Sequence, residues 1–148
     1  MVNEFYYKTT FELTDAASKK EYLLVAPALP VRIYSRILLY AGDAFTMDLY
    51  EDTTTSNDGT SVTFFNVNRV SAETQTMLSY HTPTLTGDGT LLWTTKTAAN
   101  KSITGVSSKL NYEILLKSGS KYMWRVTKNG AGTSFVDLDL WWIEHTPI

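Results

Sequence analysis

The segment SFVDLDLWWIEH, residues 134–145, alternates two sets of side chains along its length. One set is Val136, Leu138, Leu140 and Trp142, and the other is Phe135, Asp137, Asp139 and Trp141. Successive side chains of a β-strand point to opposite faces of the sheet, so a period of two predicts a strand with one buried face. The segment therefore indicates a β protein rather than a helical one.

The same alternation recurs through the chain. The predicted inward sets are Phe11 and Leu13; Val31, Ile33, Ile37 and Leu39; Phe45, Met47 and Leu49; Leu110, Tyr112, Ile114 and Leu116; and Tyr122, Trp124 and Val126. Turn-forming pairs such as Asp58-Gly59 and Asn129-Gly130 separate these segments. No helical segment long enough to connect parallel strands is found. We expect an all-β, antiparallel two-sheet sandwich of about 8–10 strands, jelly-roll-like, with an immunoglobulin-like sandwich as the alternative.

Length and composition exclude several classes of protein. A chain of 148 residues is the usual size of one domain. It contains no cysteine, which excludes disulfides and thiolate metal sites. A net charge of −2 without basic runs argues against a nucleic-acid partner. No apolar stretch reaches the roughly 20 residues that span a bilayer, so we expect no membrane partner. No cofactor is predicted.

The N-terminal sequence MVNEFYYKTT is aromatic but irregular. We expect residues 1–8 to form an arm that is ordered against a partner, and residues 9–148 to form a single β-sandwich domain. Phe5, Tyr6 and Tyr7 are the predicted contact residues of this arm.

The alternation falters between Val67 and Leu91, where more than twenty residues contain no confident strand. The segment SAETQTML, residues 71–78, is the one short helical candidate. Long loops in compact domains commonly carry function or are ordered by a partner. We therefore predict a contact loop that includes Asn66, Asn68 and Arg69. Arg69 suits a bidentate carboxylate contact, or it holds carbonyls of its own loop.

Residues that could support catalysis or metal binding do not form a recognised set. His81 and His145 each precede a Thr-Pro pair, and neither lies in a nucleophile elbow. The acidic residues lack the spacing of a calcium-binding loop, and those in the Gly-containing turns are explained by turn geometry. The chain is therefore predicted not to be an enzyme and to bind no metal, with a hydrolase that uses His81 as a minor alternative. His81 is retained as a candidate protein contact.

Phe135 and Trp141 fall on the polar face of their strand, near its two ends. Aromatic side chains on an outward face favour binding, because Trp and Tyr are frequent anchors of protein interfaces. Phe135 and Trp141 are therefore candidate protein contacts. A sugar site is the alternative, since aromatic rings also stack on pyranose rings.

Five segments together resemble a group of small virion proteins of tailed bacteriophages. They are LYE (49–51), NVNR (66–69), YHTPTLTGDGTLL (80–92), YEILLKSGSKYMWRVT (112–127) and LWWIE (140–144). The resemblance spans about residues 9–145 and is a pattern of segments rather than one motif. These proteins are encoded among head genes and are related in style to jelly-roll decoration (cement) proteins of capsids.

The resemblance implies a β-sandwich that binds the outside of an assembled capsid, with the major capsid protein as its partner. It also implies a homo-oligomer, dimer or trimer, made in the host cytoplasm and carried on the virion surface. Asn66, Asn68 and Arg69 correspond to the Asn/Arg loop of the group, closed by His81 and Pro83. Val70 stands where that group has a second polar residue. A carbohydrate- or receptor-binding module of a virion, with a surface glycan as partner, is the alternative function.

Overall fold

A computed structural model describes residues 2–14, 18–96, 100–109, 114–130 and 132–145. Within these ranges the regular structure is all strand, and no helix there is long and apolar enough to cross a membrane. The strands are Val2–Leu13 (β1), Lys19–Val25 (β2), Val31–Gly42 (β3), Phe45–Glu51 (β4), Thr54–Asn57 (β5), Thr60–Ser61 (β6), Phe65–Asn66 (β7), Leu78–His81 (β8), Thr84–Gly87 (β9), Thr90–Lys96 (β10), Asn100–Lys109 (β11), Ile114–Leu115 (β12), Lys121–Lys128 (β13) and Ser134–His145 (β14).

Eight longer strands form the framework. Their pairing is nested: the first pairs with the last, the second with the last but one, and so on inward. β1 pairs with β14, β2 with β13, β3 with β11 and β4 with β10, all antiparallel. A long hairpin rolled up in this way is a jelly roll. The predicted all-β sandwich of antiparallel strands is confirmed, and its strand order is that of a jelly roll.

The strands form two large sheets and a small ribbon. We name sheet A the one with the order β11-β3-β14-β1-β7, in which β12 also pairs with β3. Sheet B has the order β10-β4-β13-β2-β8-β6. The ribbon consists of β5 and β9. Six of these strands, β5–β9 and β12, are short additions to the eight-strand framework.

Alternation along the strands builds the core between the sheets. The predicted inward residues of β4, β13 and β14 are all buried: Phe45, Met47, Leu49, Tyr122, Trp124, Val126, Val136, Leu138, Leu140 and Trp142. Burying a large apolar side chain contributes about 1.5–3 kcal/mol to folding. In these three strands, the positions that sequence periodicity assigned to the interior therefore hold the two layers together, whereas Leu110 and Tyr112, assigned to the interior as well, lie outside the described residues.

Aromatic rings join sheet A to the segment between β4 and β10. Phe64 stacks on Trp142 with 4.0 Å between ring centroids, and Phe5 lies 6.0 Å from the same indole. Tyr7 lies 5.2 Å from Phe64 and 6.0 Å from Tyr22 on β2. Tilted ring pairs at these distances stabilise the fold by more than the burial of their surface area alone. The cluster fixes how the two sheets face each other near the start of β1.

The first strand differs from the sequence prediction. Residues 2–8, expected to form an arm, belong to β1, which pairs with β14 from Val2 to Leu13. Phe5 is 1% exposed because it faces the core together with Asn3 and Tyr7. The sequence does not show the alternation of apolar and polar residues here, because the outward residue Tyr6 is also aromatic. In this structure, the predicted arm is part of strand β1 of sheet A, between β14 and the short β7.

The segment between β4 and β10, residues 52–89, is an insertion into the framework and contains β5–β9. Val67–Leu91 is not the long strandless loop that the sequence predicted, because β8 and β9 lie within it. Residues 71–76 are irregular rather than helical. Residues 60–66 contribute two short strands to different sheets, β6 to sheet B and β7 to sheet A. The insertion thus extends the edges of both sheets.

The insertion also covers the outer face of sheet B. Leu23 and Met123 are paired in register, and each is 0% exposed. They alternate with Tyr22 and Trp124, which face the core, so their side chains point away from it. Burial on that side requires a covering layer, and polar contacts from residues 52–89 reach the same face of β13.

Two cationic side chains of β13, Arg125 and Lys121, form ion pairs that hold the insertion against sheet B. Arg125 donates two hydrogen bonds to Asp88, at 3.0 and 2.7 Å, and its Nε donates to Glu21 at 2.9 Å. Lys121 Nζ donates to Asp58 Oδ1 at 2.6 Å. A bidentate guanidinium–carboxylate pair is stronger and more directional than a single contact. These hydrogen bonds lower the pKa of both Asp88 and Asp58 below the usual 3.8.

Acidification should loosen the insertion before the framework. A carboxyl whose pKa is lower in the folded state stabilises the fold above its unfolded-state pKa, and this contribution is lost as the pH falls through the folded-state value. Below about pH 4 we therefore expect residues 54–87 to lose hydrogen-exchange protection while β14 keeps it. Exchange rates corrected for intrinsic pH dependence, compared at pH 6 and pH 3, measure this.

The matched control is Asp88→Asn, which removes the titratable carboxylate that pairs with Arg125. In this variant the insertion should be less protected at pH 6 and should lose less protection on acidification. If acidification exposes the insertion and β14 to exchange equally in the wild-type protein, these ion pairs do not hold the insertion in place.

Candidate functional site

The outward residues of β1 and β14 form the centre of the outer face of sheet A. Their register places Tyr6 opposite Trp141, Lys8 opposite Asp139 and Thr10 opposite Asp137. Thr10 Oγ1 donates a hydrogen bond to Asp137. Directly opposite residues on one face of an antiparallel pair have Cβ atoms about 4.5–5.5 Å apart. The ladder therefore brings together side chains that are more than a hundred residues apart in sequence.

An aromatic row crosses this face from β14 through β1 to β7. It consists of Trp141, Tyr6 and Phe65, and the rings of Tyr6 and Phe65 are 6.1 Å apart. Tyr6 is 39% exposed and Phe65 is 46% exposed. Arg69 extends the row, with its guanidinium carbon 5.2 Å from the Phe65 ring centroid. The row presents apolar area and one cation to the outside.

A shallow groove of about 460 Å³ runs beside the row. Tyr6 and Trp141 supply its aromatic surfaces, and Glu4, Lys8 and Asp139 supply charges of both signs. Aromatic surface with a few polar groups at its margin is typical of binding sites for proteins and for small polar ligands. The arrangement suits recognition, with Tyr6 and Trp141 as the anchors.

Phe135 lies on the same face but at the other end of β14, opposite Glu12. It is 46% exposed. Trp141 is six positions further along the strand, which is a distance of about 20 Å. The two aromatic residues that the sequence grouped together therefore belong to one face but not to one groove.

Asn66 and Asn68, predicted as contact residues, shape their own loop. Asn66 is 6% exposed, and its Nδ2 donates to the carbonyl of Glu73 at 3.2 Å. Its Oδ1 accepts the backbone N–H of Asn68 at 2.9 Å, and Asn68 Oδ1 accepts that of Val70 at 3.2 Å. Asparagine side chains commonly stabilise turns in this way. Asn66 thus has a structural role, and Asn68 remains at the surface.

The other predicted residues have separate locations. Arg69 stacks on Phe65, and among the described residues no bidentate carboxylate contact is seen for it. Phe5 and Tyr7 face inward, so Tyr6 is the aromatic residue of that trio that the outer face presents. His81 lies on β8 in sheet B, where its Nδ1 is 2.9 Å from Thr82 Oγ1. His81 therefore does not join the face that carries Tyr6 and Trp141.

Glu144 is a buried hydrogen-bond acceptor that sequence reasoning did not identify. It is 1% exposed, and its carboxylate accepts the backbone N–H groups of Thr76 at 2.9 Å and Met77 at 2.8 Å. It also accepts the indole N–H of Trp142 at 3.0 Å. The alternation of β14 places residue 144 on the inward side, and a carboxylate at an inward position is the signal that could have found it. Glu144 ties the end of the 67–77 loop to sheet A.

The comparisons with known proteins assign no family. No protein-family model matches the chain, and no curated protein is significantly similar to it in sequence. Among the described residues, no group of three or more His, Asp or Glu side chains is arranged to hold a metal ion.

Replacing Glu144 tests its role in holding the loop. Glu144→Ala leaves two backbone N–H groups and one indole N–H without their acceptor, so we expect a loss of roughly 3 kcal/mol or more in the free energy of unfolding. Chemical denaturation measures this, and hydrogen exchange should show faster exchange at Thr76 and Met77. Glu144→Gln keeps the size and one acceptor oxygen, so its loss should be smaller. Equal stability of Glu144→Ala and wild type would contradict this role.

Proposed function

We propose that the protein is a non-enzymatic structural protein of a tailed-bacteriophage virion, which binds the outside of the assembled capsid and stabilises it. The observation that carries the proposal is the aromatic row of Trp141, Tyr6 and Phe65 beside a mixed-charge groove on the outer face of sheet A. The resemblance to jelly-roll decoration proteins supplies the partner, the major capsid protein. The site of action is then the capsid surface, after synthesis in the host cytoplasm.

The two sides of the sandwich support a division of roles. The outer face of sheet B is covered by the insertion, as the complete burial of Leu23 and Met123 indicates. The outer face of sheet A instead presents half-exposed aromatic side chains in the part of the chain that is described. Aromatic anchors surrounded by charged residues are the usual composition of a protein interface. Sheet A is therefore the side that we assign to the capsid.

Stabilisation follows from binding the assembled state in preference to its free subunits. A ligand at a hundredfold excess over its dissociation constant stabilises the state it binds by about 2.7 kcal/mol per site. Each copy needs an interface of only about 1,200–2,000 Å² in total. Repetition over the many equivalent sites of a capsid multiplies this contribution, so modest affinity per copy suffices to strengthen the shell.

Capsid binding should depend on Tyr6. We expect Tyr6→Ala to weaken co-sedimentation with expanded capsids about thirtyfold, because a central aromatic anchor contributes about 2 kcal/mol to an interface. Leu91→Ala is the matched control, since Leu91 is 50% exposed on sheet B and lies outside the row. Thermal unfolding checks that both variants remain folded. If the wild-type protein sediments with neither expanded nor unexpanded capsids, the proposal is wrong.

A carbohydrate- or receptor-binding module of a virion is the second candidate, and the groove favours it. Tyr6 and Trp141 offer rings for the apolar face of a pyranose, while Glu4 and Asp139 offer acceptors for its hydroxyl groups. This function predicts saturable binding on a glycan array that Trp141→Ala abolishes. Phe135→Ala, on the same strand and face but outside the groove, should leave glycan binding unchanged. Blank arrays for the wild-type protein would eliminate this candidate.

A further inference from the structure

Strand β1 has one edge that is only partly covered. On one side β1 pairs with β14 over all twelve of its residues. On the other side β7 pairs with Phe5 and Tyr6, and Val67 N–H donates to the carbonyl of Glu4. Among the described residues, no strand pairs with residues 7–13 on that side. An open strand edge is a template for pairing with another strand.

The hydrogen bond from Val67 shows which backbone groups point to this edge. In an antiparallel ladder, alternate residues direct both their N–H and C=O groups to the same side. Since Glu4 points toward β7, the even-numbered residues of β1 do so as well. Lys8, Thr10 and Glu12 therefore direct backbone donors and acceptors toward the uncovered edge.

We propose that a second copy of this chain pairs with that edge, antiparallel, about a two-fold axis at Thr10. Residue 10 is the midpoint of the uncovered segment 7–13, so this register pairs all seven residues with their symmetry mates. It also places Lys8 opposite Glu12 of the partner subunit, and Glu12 opposite the partner's Lys8. Both side chains are exposed on the outward face. Opposite charges directly across a ladder are stabilising, and like charges are destabilising.

Neighbouring registers with the same backbone geometry are less favourable. A shift that centres the axis on residue 8 places Lys8 against the partner's Lys8, and one centred on residue 12 places Glu12 against the partner's Glu12. Axes at residue 9 or 11 pair each charge with an uncharged side chain. The register at Thr10 is therefore selected by charge as well as by the length of the free edge.

The dimer joins the two copies of sheet A into one continuous sheet. A two-fold interface of this kind is closed, because each edge is occupied by the other. Both aromatic rows then face the same side, so one dimer offers two contact surfaces to one target. This part of the inference rests on the proposed function, whereas the dimer itself does not. Two linked contacts bind more tightly than either alone.

Charge reversal tests the register. Lys8→Glu and Glu12→Lys should each raise the dissociation constant of the dimer about tenfold, since each converts both attractive pairs into repulsive ones. The double variant restores attraction and should return to the wild-type value. Lys96→Glu makes the same charge change on β10 and should have no effect. Sedimentation equilibrium over a concentration series measures all four without capsids, so the result is independent of capsid binding.

Cysteine cross-linking gives a second test, because the chain contains no cysteine. Thr10→Cys lies on the proposed axis and should form a disulfide-linked dimer under mild oxidation. Lys8→Cys alone should not, because two copies of residue 8 are about 13 Å apart along the ladder. A mixture of Lys8→Cys and Glu12→Cys should cross-link. The inference is wrong if the wild-type protein is monomeric at all concentrations. It is also wrong if Lys8→Cys alone cross-links as well as Thr10→Cys, or if the double charge variant no longer dimerises.

Discussion

The twelve-residue ladder between β1 and β14 is the constraint on which the rest of the structure depends. Its inward side chains, including Phe5 and Trp142, enter the aromatic cluster between the sheets. Its outward side chains, including Tyr6 and Trp141, form the row and the groove. Because the side-chain period of a strand is two, a slip of one residue in this pairing would exchange the two sets. Core packing and surface chemistry are therefore fixed by the same register.

Sequence periodicity predicted the strands that have one face in the core. Met47 on β4, Trp124 on β13 and Leu138 on β14 are buried as their alternation indicated. Periodicity failed where its signal was masked or too short. Tyr6 puts an aromatic ring on the outward side of β1, so the alternation of that strand was not apparent. β8 and β9 have four residues each, and their identity as strands comes from their partners rather than from their own sequence.

The candidate site was only partly visible in the sequence. Alternation placed Trp141 on the outward face, but its position opposite Tyr6 depends on a pairing between distant segments that periodicity does not encode. The buried roles of Asn66 and Glu144 were likewise hidden, because their partners are mainly backbone groups of the 67–77 loop. A polar residue at an inward position signals that a partner is needed, and only the folded structure identifies that partner.

The order of the strands has a consequence for biosynthesis. β1 leaves the ribosome before every other strand described, and its neighbour β14 leaves after all of them. Sheet A cannot close until then, and contacts between such distant segments form slowly. During translation the sequence FYY near the start of β1 is an unprotected aromatic stretch. Lys8 follows it directly, and a charge beside such a stretch is a gatekeeper against premature association of nascent chains.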